Sequence, residues 1–398
     1  MKKVLSLVLA VVMVMSLFAV SAAAEADTSK VKVGFIFLHD ENSTYDLNFL
    51  NAAKEACEKL GVEYLMKTMI PEDSSAYDAA ADLADAGCDV VFADSFGHED
   101  YMIEAAKEFP DVQFCHATGT KAHTEGLANF HNAFASIYEG RYLAGVAAGL
   151  KLNEMIENGE ITADEAKMGY VGAFTYAEVI SGYTSFFLGA RSVCPTVTMD
   201  VTFTGSWYDE ALEKEGAQLL IDKGCNLISQ HADSLGAPTA CENAKVPNVS
   251  YNGSTKEAGP NTYIISSRIN WAPYYQYAIQ CVIDGKAIDA DWTGTLATGS
   301  VVLTDLNTTV AAEGTAEAIE AATAKLESGE LHVFDCATFT TKADDTMNPF
   351  KIDFLKVDAD GHITSYLADV DTDEAYTGDT EVIENGYFAE SAKRSAPY

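Results

Sequence analysis

Basic residues are scarce in this sequence, and acidic residues greatly outnumber them. The 398 residues include 25 Lys and Arg against 60 Asp and Glu, which gives a formal net charge of -35. A surface with this charge repels phosphate backbones and anionic lipid headgroups, so nucleic acid is not expected as a partner. Hydrophobic residues still make up 48% of the chain. That is ample side-chain surface for a core, which excludes a disordered acidic protein.

The sequence also lacks the common motifs of cofactor binding and catalysis. It contains no G-x-G-x-x-G or G-x-x-x-x-G-K-[ST] loop, no H-E-x-x-H and no G-x-S-x-G. The segment His98-Glu99-Asp100 is best explained as the start of a helix, where acids favour the helix dipole. The segment DADG at 358–361 is best explained as a turn rather than a calcium loop. No catalytic residue, metal site or cofactor is predicted.

No two of the eight cysteines form a C-x-x-C pair, which argues against a zinc knuckle or a redox motif. Several lie in apolar segments, where cysteine acts as a small hydrophobic residue. We expect mostly buried free thiols, with one or two disulfides as the alternative in an exported protein. The cysteines are Cys57, Cys88, Cys115, Cys194, Cys225, Cys241, Cys281 and Cys336.

The single long hydrophobic run lies at the N-terminus. Two lysines precede a mainly apolar run at residues 4–15, and three alanines at 22–24 resemble a signal-peptide cleavage site. We expect residues 1–24 to be removed on export, which places the protein on the periplasmic or cell-surface side. No other stretch approaches the ~18 apolar residues of a transmembrane helix. The first cysteine is Cys57, so we expect no lipid anchor on an N-terminal cysteine.

After the apolar run, short β-rich segments alternate with helical ones, which is typical of parallel sheets flanked by helices. The first series has predicted strands at 33–38, 62–66, 90–93 and 112–116 and helices at 47–60, 76–86 and 102–109. The second series has predicted strands at 168–173, 197–203, 227–230, 249–251 and 263–266 and helices at 182–193 and 209–223. Two such series predict two sheets.

The two series resemble each other at a constant offset. The spacing from Cys57 to Cys194 equals that from Cys88 to Cys225, and LADAGCD at 83–89 resembles LIDKGCN at 220–226. We therefore expect two lobes of similar topology, with the carboxyl ends of both sheets facing one cleft.

Polar and aromatic residues are concentrated just after the predicted strands, where doubly wound sheets bind ligands. Aromatic faces combined with amide and carboxylate groups suit a flat heterocycle. For any single residue the alternative is a place in the core, a helix cap or a turn. The candidate ligand-binding residues are Ser43, Thr44, Tyr45, Asp94, Ser95, Phe96, Glu178, Trp207, Asp233, Asn252, Ser254, Asn270 and Trp271.

Four segments resemble the basic membrane protein family of solute-binding proteins for ABC importers. They are VGFI at 33–36, FPDVQF at 109–114, YEGRYLAGVAAG at 138–149 and NWAPYY at 270–275. The likeness runs from about residue 31 to residue 339. The EGRYLAG segment, Ser206-Trp207 and QHADS at 230–234 resemble particularly the branch that binds purine bases.

The resemblance implies an α/β protein with a two-lobed type I periplasmic-binding-protein fold, in which a three-crossover hinge joins two doubly wound parallel sheets. The crossovers are expected near 129–133, 270–273 and 292–299. The implied N-terminal lobe is 31–130 plus 271–298, and the C-terminal lobe is 134–269 plus 299–340. Residues 341–398 are expected to form an acidic extension packed on a lobe.

The implied function is that of a monomeric extracytoplasmic receptor that binds a purine nucleobase between its lobes and passes it to an ABC permease. By resemblance, one stacking position falls near 43–45 and the other on Trp207. The Trp usual in the first loop is absent, so Tyr45 or Phe96 would supply the first face. The residues expected to contact the ring edge are Asp94, Glu178, Asp233 and Asn270.

Other ligands and another class of protein are the alternatives. The nucleoside-binding branch has an Asp and a Lys for ribose where this sequence has Ser254 and Ile269, which favours a free base. A nucleoside, a flavin or another metabolite in the same site is the second hypothesis. The third is an exported nucleoside hydrolase, which the missing motifs disfavour.

Overall fold

The computed structural model contains two largely parallel sheets flanked by helices. It describes residues 31–174 and 177–334 and four short strands after them. The strands of the two sheets are β1 (Lys32–Ile36), β2 (Glu63–Lys67), β3 (Val90–Ala93), β4 (Gln113–Ala117), β5 (Phe130–Ala135), β6 (Lys167–Gly172), β7 (Thr198–Phe203), β8 (Leu227–His231), β9 (Asn248–Tyr251), β10 (Tyr263–Ile269), β11 (Asp291–Gly294) and β12 (Val301–Leu303). The helices are α1 (Thr44–Leu60), α2 (Ser74–Asp85), α3 (Glu99–Glu108), α4 (Ala122–Glu125), α5 (Ile137–Glu157), α6 (Ala177–Val193), α7 (Glu210–Asp222), α8 (Gly236–Ala244), α9 (Ala272–Asp284) and α10 (Thr315–Ser328).

Both sheets are doubly wound. The first has the strand order β11-β5-β4-β3-β1-β2 and the second β12-β10-β9-β8-β6-β7. Neighbouring strands are parallel throughout the first sheet, and in the second only β12 runs antiparallel to its neighbour β10. In each sheet the strand order reverses next to the lobe's first strand, between β1 and β3 and between β6 and β8. The fold class predicted from the sequence is confirmed.

The chain crosses between the sheets three times. Ser136 joins β5 to α5, residues 270–271 join β10 to α9, and residues 295–300 join β11 to β12. The predicted crossover at 129–133 lies earlier than the observed one, because residues 130–133 belong to β5, a strand that is buried along its whole length. The boundary expected between residues 130 and 134 therefore cuts this strand. The other two predicted crossovers overlap the observed ones.

The likeness between the two halves of the sequence corresponds to matching helix ends. Gly87 and Gly224 follow α2 and α7 with φ angles of 82° and 86°, a left-handed conformation that glycine adopts without steric penalty. The N–H of Cys88 then donates to the carbonyl oxygen of Leu83 at 3.1 Å, and Cys225 makes the equivalent bond at the same distance. The repeated motif thus ends a helix and leads into a central strand in each lobe.

The described cysteines are free thiols, as the sequence predicted. Seven are buried and unpaired, and Cys336 lies outside the described residues. Burial raises the pKa of several thiols, for example that of Cys57 to about 12, which keeps them protonated and unreactive. The seven are Cys57, Cys88, Cys115, Cys194, Cys225, Cys241 and Cys281.

Two expected segments fall mainly outside the described residues. The predicted signal peptide, 1–24, lies wholly outside them. Of the predicted C-terminal extension, the structure describes two antiparallel strand pairs, β13 (Lys356–Val357) with β14 (Ile363–Ser365) and β15 (Glu381–Val382) with β16 (Phe388–Ala389). None of the described helices is both long and apolar enough to span a bilayer.

Helices α5 and α6 pack so closely that their contact requires glycine. A Cβ atom on Gly145 would overlap the carbonyl oxygen of Phe186, and one on Gly189 would overlap that of Tyr142. The same two helices supply much of the second lobe's core, including Tyr142 and Phe186. This close contact places α5 against the sheet that carries half of the candidate site.

We expect Gly145→Ala to destabilise the protein by about 1–3 kcal/mol, because the methyl group must push two packed helices apart. Gly216→Ala is the matched control. It also lies within a helix, where its Cβ atom would meet neighbours at an ordinary 3.4 Å, so the better helix propensity of alanine should leave stability equal or higher. Urea unfolding of both variants checks this. Equal stability of the two variants would contradict the packing argument.

Candidate functional site

A narrow cavity lies between the lobes at the carboxyl ends of both sheets. It encloses about 370 Å³, including its opening to solvent. We call this cavity the slot. Residues from the first lobe are Leu38, Tyr45, Ser95, Phe96 and Thr118, and those from the second are Glu178, Trp207, His231, Asp233, Tyr251 and Asn252.

The structure brings together about half of the residues that the sequence singled out. Those that line the cavity are Tyr45, Ser95, Phe96, Glu178, Trp207, Asp233 and Asn252. Thr44 lies at the edge, where its backbone N–H donates to the carbonyl oxygen of Asp233 in the other lobe at 3.1 Å. The remaining predicted site residues have other places in the fold.

Two polar residues predicted for the site lie behind the cavity wall instead. Ser43 is buried and caps α1, where its hydroxyl donates to Asp46 Oδ2 at 2.6 Å. Asp94 is fully buried, and its Oδ1 accepts the backbone N–H of Leu38 at 3.1 Å. Both residues shape the first-lobe wall, because Leu38 itself lines the cavity.

Three further predictions place residues in the site that the structure puts elsewhere. Trp271 is buried in the first-lobe core, stacked on Phe49 with ring centroids 4.5 Å apart. Asn270 joins two crossovers, since its Nδ2 donates to the carbonyl oxygen of Gly299 at 3.1 Å. Ser254 is exposed and does not line the cavity. Core and hinge residues next to a strand end resemble ligand contacts in sequence, which explains why the sequence analysis selected them.

Four lining residues were not among the predicted site residues. Leu38, Thr118, His231 and Tyr251 lie at or just after the ends of β1, β4, β8 and β9. Their position at strand ends could have identified them, because the rule that ligands bind at strand ends also selected Tyr45 and Asp233.

A chain of hydrogen bonds orients His231 in the second-lobe wall, and burial keeps it neutral. The guanidinium of Arg141 donates to the Tyr170 hydroxyl at 3.2 Å, and that hydroxyl faces His231 Nδ1 at 3.4 Å. His231 Nε2 lies 3.4 Å from Glu178 Oε1. Burial lowers the pKa of His231, although its bond to Glu178 opposes the effect. A neutral ring that accepts at Nδ1 and donates from Nε2 satisfies every contact.

Arg141 itself is a fully buried cation surrounded by aromatic rings. Its Cζ atom lies 5.3 Å from the Tyr170 ring centroid, 4.9 Å from that of Phe186 and 5.2 Å from that of Tyr251. Cation–π contacts of this kind are strongest when water is excluded. Since Tyr251 lines the cavity, this arginine fixes one aromatic wall of the slot from behind.

Two buried carboxyl groups in the first lobe have pKa values shifted in opposite directions. Burial, followed by repulsion from Asp46, raises the pKa of Asp94 well above its usual range. Burial acts in the same direction on Asp46, but hydrogen bonds from His39 and Ser43 outweigh it and lower its pKa. Asp94 is thus the protonated partner and Asp46 the ionised one. The Tyr45 hydroxyl donates to the Asp94 carbonyl oxygen at 2.6 Å, so the pair also supports a cavity residue.

Asp233 supplies a neutral carboxyl group on the opposite wall. Burial, with repulsion from Asp46 and Glu213, raises its pKa well above the usual range. Its Oδ1 accepts from Asn252 Nδ2 at 3.2 Å. A protonated carboxyl group both donates and accepts, which a carboxylate does not.

Residues of helix α1 bond the first lobe to the second. Asn48 Nδ2 donates to the carbonyl oxygen of Asn252 at 2.6 Å, and Thr44 bonds to Asp233 as described above. Both acceptors belong to loops that line the slot.

A protein-family model matches residues 33–331, and its description is Bmp, ABC transporter substrate-binding protein PnrA-like. The chain belongs to the Bmp family. Bmp proteins are extracytoplasmic substrate-binding components of ABC transporters, which implies a small-molecule ligand and a permease partner. The family resemblance predicted from the sequence is confirmed.

Curated relatives of this Bmp protein include two that align over most of the chain. A purine-binding protein of Brucella abortus is 32% identical over 323 residues, which cover 80% of this chain and 86% of the relative. A putative ABC transporter glucose-binding protein of Haloferax volcanii is 31% identical over 314 residues, which cover 79% and 73%.

Solved structures agree with the fold. An ABC transporter solute-binding protein from Conexibacter woesei has a TM-score of 0.61 at 23% identity and covers 76% of this chain and 98% of its own. One from Aeropyrum pernix has a TM-score of 0.64 at 19% identity and covers 75% and 92%. At these identities the likeness shows the two-lobed architecture alone.

We expect Asp94→Asn to become increasingly stable relative to the wild type as the pH rises from 5 to 8. Folded Asp94 keeps its proton while the unfolded carboxyl group ionises near pH 4, so the wild type loses at most about 1.4 kcal/mol of stability per pH unit from this group. An asparagine amide has nearly the same shape as the carboxyl group and does not titrate. Urea unfolding across this pH range measures the difference.

Asp78→Asn is the control, because Asp78 is an exposed carboxylate of α2. Its stability should follow the wild type at every pH. Parallel curves for Asp94→Asn and the wild type would show that Asp94 is ionised in the folded protein.

Proposed function

We propose that this Bmp protein binds a purine nucleobase of the adenine or guanine type in the interlobe slot and delivers it to its permease. The observation that supports this most directly is the presence of aromatic rings from both lobes along one cavity. Tyr45 and Phe96 come from the first lobe, and Trp207 and Tyr251 from the second. A flat heterocycle stacks favourably on such rings.

The aromatic walls are held in place before a ligand arrives. The Tyr45 hydroxyl bonds to the Asp94 backbone, and Trp207 meets the edge of Phe174 with centroids 4.9 Å apart and an interplanar angle of 65°. Preorganised rings lose little conformational freedom on binding, which favours affinity. The Tyr45 and Phe96 side and the Trp207 side are the proposed stacking faces.

The polar groups of the slot match the edge of a base better than a phosphate or a charged metabolite. Glu178, Asp233 and Asn252 offer carboxyl and amide groups that accept and donate hydrogen bonds, as the exocyclic groups and ring nitrogens of purines require. Among the described lining residues none is Lys or Arg, so a phosphate would lack a counter-charge. We therefore propose a neutral base rather than a nucleotide.

A free base is also favoured over a nucleoside. The positions that correspond to the ribose-binding Asp and Lys of nucleoside-binding relatives hold Ser254 and Ile269. Ser254 is exposed and Ile269 is buried in β10, and neither lines the slot. We further propose that the protein acts as a monomeric receptor without catalytic activity. The purine-binding relative from Brucella abortus supports this choice of ligand.

A calorimetric panel tests the ligand class. Adenine, guanine and hypoxanthine should bind with micromolar or lower Kd, while adenosine, inosine, riboflavin and glucose should bind more weakly. Nucleosides should be recovered unchanged after prolonged incubation, as chromatography will show. Tight binding of glucose without a response to any base would overturn the purine proposal, and release of a free base from inosine would overturn the receptor role.

We expect Trp207→Ala to weaken base binding by about 1–3 kcal/mol through loss of stacking, and Trp207→Phe to weaken it less. Trp292→Ala is the matched control, since Trp292 packs on Tyr274 in the first lobe, with centroids 5.1 Å apart, and does not line the slot. It should lower the melting temperature and leave the affinity unchanged. Equal affinities for Trp207→Ala and the wild type would remove Trp207 from the site.

A further inference from the structure

Thr118, the first residue after β4, has a backbone conformation that β-branched residues rarely adopt. Its φ angle is 66°, in the left-handed region that favours glycine. A strained residue of this kind persists only where its surroundings impose the conformation, and such residues cluster at binding and active sites.

The surroundings of Thr118 do impose it. Its N–H donates to the carbonyl oxygen of Ala133 at 2.8 Å. The buried carboxylate oxygen Oε1 of Glu99 accepts the N–H groups of Thr120 and Lys121 at 2.7 and 2.8 Å. Glu99 is the first residue of α3, but its side chain bonds to the loop that follows β4. A single buried carboxylate fixes the backbone immediately after Thr118.

The next residue leaves the loop no room to relax. A Cβ atom on Gly119 would overlap Glu99, His116 and Asn132. Asn132 Oδ1 in turn accepts the N–H of Ala122 at 2.6 Å. The loop from Thr118 to Ala122 is therefore bonded on both sides to buried polar groups of the first lobe, and the conformation of Thr118 follows from this network.

Thr118 has a second energetically unfavourable feature, which is the environment of its hydroxyl group. The side chain is 8% exposed and lines the slot. Within the described residues its Oγ1 is buried and has no hydrogen-bond partner. A buried hydroxyl without a partner is unfavourable, so most such groups in proteins are satisfied by protein, water or ligand.

We propose that the Thr118 hydroxyl hydrogen-bonds the ring edge of the bound base and helps to determine which base is selected. The proposal rests on the proposed function of the slot. A hydroxyl group both donates and accepts, so it serves either a ring nitrogen or an exocyclic amino or oxo group. The strained backbone holds the hydroxyl in the slot, and the bound base supplies the hydrogen-bond partner that the hydroxyl lacks.

Two variants test the hydrogen bond in the full-length protein with adenine, guanine and hypoxanthine as probes. Thr118→Val keeps the shape and removes the hydroxyl, and should raise the Kd of the preferred base roughly ten-fold. Thr118→Ser keeps the hydroxyl and should bind within about two-fold of the wild type. Thr124→Val is the control, because the exposed Thr124 lies in α4 beyond the same loop and away from the slot.

Thr118→Gly separates a ligand contact from a structural role. Glycine adopts the left-handed conformation freely, so the melting temperature should equal or exceed that of the wild type while base affinity falls at least as far as in Thr118→Val. A residue kept only for packing would show the opposite pattern, with lower stability and unchanged affinity, and that result would overturn the proposal.

The calorimetric outcomes distinguish this proposal from the one on which it rests. If the wild type binds a base and Thr118→Val binds it equally well, Thr118 is not a contact and the function of the slot stands. If the wild type binds none of the three bases, both proposals fail.

Discussion

The direction of the strands is the constraint on which the site depends. Because each sheet is parallel and doubly wound, every loop that leaves a carboxyl end emerges on the same side. In both lobes the strand order reverses beside the first strand, which opens a crevice there. Tyr45 follows β1, Phe96 follows β3, and Asp233 follows β8. Residues far apart in the chain thus meet in one slot, and α1 connects the lobes across it.

Several buried groups in and behind the slot are uncharged although the protein is strongly anionic. Asp94 and Asp233 hold protons because they are buried near other acids, and His231 stays neutral because it is buried between Tyr170 and Glu178. The negative charge of the chain therefore says little about its ligand. What governs recognition is the protonation of a few buried groups, each set by its local surroundings.

Much of the fold was predictable, because buried strands such as β3 are short apolar runs and helices such as α2 end in recognisable glycine signals. Strand β5 was missed because its buried residues include His131 and Asn132, whose partners come from distant segments. The rule that ligands bind at strand ends located the cleft. It did not separate Trp271 from Trp207, because a core aromatic and a cavity aromatic look alike in sequence. The conformation of Thr118 depends on long-range bonds that no local pattern reveals.

The seven described cysteines are all buried and unpaired. Exported proteins commonly rely on disulfides for stability, but these two lobes are held together by packing and hydrogen bonds among reduced side chains. Because none of these seven thiols forms a disulfide, none of them requires an oxidant or a disulfide isomerase during folding. The two lobes have the same requirements in the reducing cytoplasm of an expression host as they have outside a cell.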